Sequence, residues 1–135
     1  MSQENVEVAR RSWGAWSRGD IDEGLSCYSD DAEWDMSTYS GWPEQQLFKG
    51  HREIREFLER WRGAWEQYEA GVDEFLDAGD KVCVLCWQRG RGRQTGAQVE
   101  MTAYAHLLTV RDGKITRAEL HSDRQKALEA AGLAE

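Results

Sequence analysis

The stretch YAHLLTVRDGKITRAELH, Tyr104 to His121, decides the fold. Two alternating runs flank an Asp-Gly pair, the signature of a hairpin closed by a two-residue turn. Such a turn pairs Arg111 with Lys114, and the ladder counts back from there. Val110 opposes Ile115, Leu108 opposes Arg117, His106 opposes Glu119 and Tyr104 opposes His121, all on one face. The other face carries Ala103, Ala105, Leu107 and Thr109 against Thr116, Ala118, Leu120 and Ser122. The mixed face, bulky near the turn and polar farther along, is expected to be the concave wall of a pocket. The small-residue face suits packing against a second sheet, so a homodimer through the sheet is expected.

Upstream of this hairpin, YEAGVDEFLDA and KVCVLCWQRG read as further strands joined by the tight turn AGDK, and the segment QVEMTAYAHLLTV reads as one strand. The tip RGRGRQTGA carries Arg89, Arg91 and Arg93, which read as a solvated tip rather than an anion or RNA site on so acidic a chain. Helical spacing appears earlier. Val6, Ala9, Trp13 and Trp16 mark a first helix that Gly19 ends. Asp20 caps a short second helix carrying Ile21, Leu25 and Tyr28. AEWDMS reads as a strand, and residues 38–49 as a long loop with Gly41 and Pro43. From His51 to about Trp65, Ile54, Phe57, Leu58, Trp61 and Trp65 form one apolar stripe of a third helix, its charged residues a solvated face. A last helix starts at a capping Ser122 or Asp123. Helices followed by meandering strands make an α+β domain, a curved antiparallel sheet wrapped as a cone around a long helix, and the 135 residues suffice for one such domain, 1–135.

Composition narrows the function classes. A net charge of −8 argues against nucleic acid or an anionic membrane as partner. The stretch MSQENVEVARR has no apolar core of a leader, and no run approaches a membrane span, so a cytoplasmic location is expected. Three cysteines leave an odd thiol and no disulfide framework. Cys83 and Cys86 have the C-x-x-C spacing, but in a strand their sulfurs point to opposite faces and no second pair completes a zinc site. They read as structural. The scattered histidines make a poor metal site too, because Asp35 would have to join from another strand. No cofactor is expected.

With the elements in order, a family emerges. Gly19-Asp20, Tyr28, SDDAEW, KGHREIREFL, VRDGKI and HSDRQKALEAAGL together resemble the nuclear transport factor 2-like superfamily, and most closely its SnoaL-like branch, over nearly the whole chain. The resemblance implies a cone-shaped pocket, in a fold that hosts isomerases, polyketide cyclases, hydrolases and non-catalytic binders. Steroid isomerases of the superfamily place a base four residues after the position of Ala32, which here is Met36, with Asp35 one place early. Their oxyanion-binding tyrosine matches Ser12, and their protonated aspartate matches His106. The last-strand aspartate of SnoaL-type cyclases finds Glu119 nearest, beside Leu120.

Two functions stay open. One is a small cofactor-free enzyme acting on a hydrophobic carbonyl or polycyclic molecule, by isomerisation, cyclisation or water addition. There His106 is the acid/base, Glu119 orients it, and Asp35 gives polar support. The other is a non-catalytic binding or accessory protein using the same cavity. In either, Tyr104, Trp34, Met36, Trp61, Trp16 and His121 are expected to line the ligand site, with Trp42 and Phe48 as a lid. His121 is expected at an exposed rim, and His51 toward solvent.

Overall fold

The computed structural model describes residues 2–39 and 46–133. The apolar stripe of the first segment folds as helix α1 (Ser2–Arg18), which places Ala9 and Trp13 in the core. Gly19, at φ +80, ends it, because a side chain is costly in that left-handed conformation. The Asp20 carboxylate then accepts a hydrogen bond from the Glu23 amide and starts α2 (Ile21–Leu25). Helix α3 (Gly50–Gly63) buries Ile54 and Phe57. It stops before Trp65, which opens a strand instead of closing the helix. Arg62 leaves the solvated face of α3 and lies over the rings of Trp16 and Tyr68, 4.8 and 4.9 Å from their centroids.

The strands are β1 (Tyr28–Asp35), β2 (Leu47–Lys49), β3 (Trp65–Ala78), β4 (Lys81–Gly92), β5 (Gln98–Met101), β6 (Ala105–Arg111) and β7 (Lys114–His121). A last helix, α4 (Arg124–Ala130), begins where the Asp123 carboxylate caps the Gln125 amide. Tyr28 therefore belongs to β1 rather than to α2. The expected strand 98–110 is broken at 102–104 into β5 and β6, and part of the expected loop 38–49 is β2.

Sheet order is β2-β1-β7-β6-β4-β3, with β5 also on β4. Strand β4 pairs with β6 through residues 81–85 and with β5 through 88–91, so two strands share one edge of it in succession. All pairings are antiparallel except β1 with β7. Register shifts in β3–β4, β1–β7 and β6–β7 bend the ladders, since each extra residue adds twist. The result is a strongly curved sheet that does not close. Its concave side holds one core, in which Trp13 of α1 and Ile54 and Phe57 of α3 meet Trp34, Val82, Val84, Cys86, Leu108 and Ile115. A second, smaller core lies on the convex side, where Ala127 of α4 covers Cys83, Ala105 and Leu107. Both sulfurs of the C-x-x-C are free, and they fall in different cores as strand geometry requires. At the Gly-rich tip Arg89 pairs with Glu69 and Arg93 with Glu66.

The turn Asp112-Gly113 forms as expected, both residues at positive φ, and Val110 opposes Ile115. One step farther the expected ladder fails. Between these pairs and Thr109–Arg117 the strand β7 has one extra residue, Thr116. His106 consequently opposes Leu120, and Glu119 opposes Leu107. A one-residue slip moves every later side chain to the other face. On β6 the assignment of faces holds: Tyr104, His106, Leu108 and Val110 look inward. On β7 it is reversed beyond Ile115. Ala118 and Leu120 look inward, while Arg117, Glu119 and His121 lie outside.

Candidate functional site

A cavity opens on the concave side, between α1, α2, α3 and the sheet. Its volume is about 70 Å³. Trp13 and Trp16 reach it from α1, Phe57, Leu58 and Trp61 from α3, and Trp34 and Met36 from β1 and its end. Tyr39, Tyr104, His106, Leu120 and Gln88 complete most of the wall, with the exposed Asp20 at the edge.

His106 is the centre of an aromatic box. Its ring centroid lies 4.9 Å from Trp13, 5.5 Å from Trp34 and 5.7 Å from Tyr104, the two tryptophans edge-on. The residue is 7% exposed, and neither ring nitrogen has a hydrogen-bond partner among the described residues. Burial pushes its pKa down to about 3, and His121 across the sheet adds to the shift. The imidazole is therefore neutral at ordinary pH, with one donor and one acceptor nitrogen. Burial also lifts the Tyr28 and Tyr104 phenols well above their usual range, although a hydrogen bond with Ser12 partly offsets this at Tyr28. Around the imidazole the wall is thus aromatic, polar in places, and uncharged.

A second polar group stands farther along β4. The strand alternates Val82, Val84, Cys86 inward, and the next inward position is Gln88, 6% exposed. Its Oε1 accepts from Trp61 Nε1 at 3.0 Å and from the Tyr68 hydroxyl. Tyr68 in turn accepts from Trp16 Nε1 at 3.1 Å. Gln88 was not picked out from the sequence. The signal was present, since a polar residue at the inward parity of an otherwise apolar strand asks for a reason.

Of the residues expected at the site, His106, Tyr104, Trp34, Met36, Trp61 and Trp16 line this cavity. Glu119, Asp35 and His121 do not. They meet on the convex side around Arg117, which pairs with Glu33, with Asp35 and, at 3.4 Å, with Glu119. His121 Nε2 lies 3.2 Å from Glu119 Oε1 and is 6% exposed, not at an open rim. That hydrogen bond, with Arg117 assisting, holds the Glu119 carboxyl below its usual range against the opposing effect of burial. The expected orientation of His106 by Glu119 is therefore ruled out by register: the two side chains are on opposite sides of one sheet. His51 is not turned to solvent either; its Nε2 lies 3.0 Å from the Tyr28 carbonyl oxygen. Trp42 lies outside the described residues, and Phe48 is buried against Phe57, 4.6 Å between centroids. No group of three or more His, Cys, Asp or Glu among the described residues could hold a metal ion, and no described helix is long and apolar enough to cross a membrane.

Solved structures share this architecture. A nuclear transport factor 2-like protein from Burkholderia thailandensis is 26% identical, with 94% of this chain and 95% of that one covered and a TM-score of 0.78. One from Burkholderia xenovorans is 27% identical, covering 96% and 95%, with a TM-score of 0.72. TerC, crystallised with polyporic acid, is also 27% identical, covering 96% and 98%, with a TM-score of 0.76. No protein of curated function matches the chain significantly. The model of the SnoaL-like domain matches residues 9–118, and the chain belongs to that family within the nuclear transport factor 2-like superfamily.

Proposed function

We propose that this protein binds a small, flat, mainly apolar molecule in the cone, with an oxygen of that molecule hydrogen-bonded to His106. One observation carries the reading: a buried imidazole faces a cavity, and neither of its nitrogens has a partner among the described residues. A ligand hydroxyl or carbonyl would supply the hydrogen bond that the described residues do not, worth about 1 kcal/mol. The ring edges of Trp13 and Trp34 and the uncharged wall favour a planar aromatic or carbonyl compound over an ion. The complex of TerC with polyporic acid supports a ligand of that general kind.

Acid–base turnover of such a ligand is the second reading, favoured by the same free nitrogen, which is open to a substrate proton. It stands behind binding for a physical reason. An effective base has a pKa near the working pH, and the His106 imidazole, held at about 3 with no carboxylate beside it, is far from that.

Titration with 4-hydroxybiphenyl, followed by tryptophan fluorescence, tests the first reading. Saturable quenching is expected, weakened about tenfold in His106→Phe. Absence of quenching, or equal affinity in the variant, would overturn it. Incubation of 2-tetralone in heavy water tests the second: exchange next to the carbonyl that His106→Phe abolishes would make the protein a catalyst.

A further inference from the structure

We infer that Gln88 is a second anchor of the same pocket, a fixed N–H donor that selects ligands with an acceptor oxygen far from the group held by His106. The inference rests on the ligand-binding reading above and adds to it a length and a polarity. The orientation of the Gln88 amide is not arbitrary. An indole N–H can only donate, so the atom facing Trp61 Nε1 at 3.0 Å must be the amide oxygen. The Tyr68 hydroxyl accepts from Trp16 and so has its own hydrogen to give, which it donates to the same oxygen. Two donors from α1 and α3, one of them relayed through β3, thus lock the oxygen. The nitrogen is turned the other way by necessity.

That nitrogen is poorly used. It donates to Met101 Sδ at 3.7 Å, a weak thioether acceptor, and its second hydrogen has no partner among the described residues. Gln88 lines the cavity and is almost fully buried. A buried amide donor in this state is a site for an oxygen that the protein itself does not supply.

Position gives the length. His106 pairs with Val84, and Gln88 lies four residues along the same strand on the same face. Four residues of strand span about 13 Å, so two groups of a ligand touching both anchors are on the order of 10 Å apart. Cys86 and Tyr104 fill the wall between them. The ligand class is accordingly a rigid molecule of two or three rings with an oxygen at each end, the oxygen at the Gln88 end being an acceptor.

Two biphenyl probes separate this assignment from the reading it rests on. 4-Hydroxybiphenyl presents oxygen at one end; 4-acetyl-4′-hydroxybiphenyl adds a carbonyl at the other. The second is expected to bind the wild-type protein roughly five- to tenfold more tightly. In Gln88→Met, which fills similar space without an N–H donor, that preference should vanish. Equal affinities of the two probes for the wild-type protein, a measurement needing no variant, would overturn the role of Gln88 and leave the pocket reading intact. A preference that survives in Gln88→Met would also overturn it. Should neither probe bind, the pocket reading falls and this assignment with it.

Discussion

His106 and His121 occupy neighbouring strands of one sheet, and the sheet sorts them by face. The first sits among Trp13, Trp34 and Tyr104 with no hydrogen-bond partner among the described residues, kept neutral by burial. The second rests on Glu119 within a group of four charged side chains, Glu33, Asp35, Arg117 and Glu119. Identical chemistry thus has different standing on the two sides of a layer one residue thick. On the concave face an uncommitted polar group is left for something else to meet. On the convex face Arg117 pairs with Glu33, Asp35 and Glu119, and His121 rests on Glu119, which makes that cluster a device for holding β1 to β7.

The division depends on Thr116, so its removal should have the largest effect. Deleting Thr116 slides Arg117, Glu119 and His121 into the aromatic core and expels Ala118 and Leu120. Unpaired charge in an apolar core exceeds a domain's stability, so no cooperative thermal transition is expected by circular dichroism. A variant melting like the wild type would refute the bulge as the sorting element. Acid offers a sharper, reversible test. The His106 pKa is about 6.5 when unfolded and about 3 when folded, so between those values only the unfolded chain holds the proton. The contribution is fully present above pH 6.5 and lost as pH falls toward 3, by about 1.4 kcal/mol per unit. From pH 6.5 to 5, above most of the carboxylate titration, urea unfolding should show a loss of about 1.5 kcal/mol that is absent in His106→Phe. An unchanged slope in the variant would place the acid sensitivity elsewhere. The smallest effect belongs outside. Arg117→Met leaves three carboxylates without their shared cation and should cost about 1–2 kcal/mol, discounted because the arginine is partly solvated. Affinity for 4-hydroxybiphenyl should not change. If it falls as far as in His106→Phe, the two faces are not independent.

Most elements were legible because local rules and tertiary structure agree. The spacing of Val6, Ala9, Trp13 and Trp16, the stop at Gly19, the cap at Asp20 and the Asp112-Gly113 turn each express a preference of a few residues, and packing did not override it. The placement of His106 and Tyr104 on the inward side followed from counting back along β6. Glu119 and His121 were misplaced because the count on β7 assumed an unbroken ladder. A bulge without glycine has no single-residue mark. Its trace is a change of parity, with Ile115 apolar at one phase and Ala118 and Leu120 at the other. Asp35 was expected in the site as polar support, and its pairing with Glu119 across β1–β7 puts it outside. Gln88 was hidden differently: its meaning depends on Trp61, Tyr68 and Trp16, which only the fold brings to it.

The parallel seam between β1 and β7 has a kinetic consequence. It joins Tyr28 to Ile115 and Asp35 to Glu119, residues separated by more than eighty positions, and Thr38 adds a 2.6 Å hydrogen bond to the Leu120 carbonyl. Contacts that distant in sequence carry a high loop-closure entropy and slow the search for the native topology. On the ribosome, the hairpin of β3 and β4 has all its residues long before β7 emerges, whereas Trp34 waits for Ala118. The hollow that receives a ligand is therefore among the last parts of the molecule to acquire its wall.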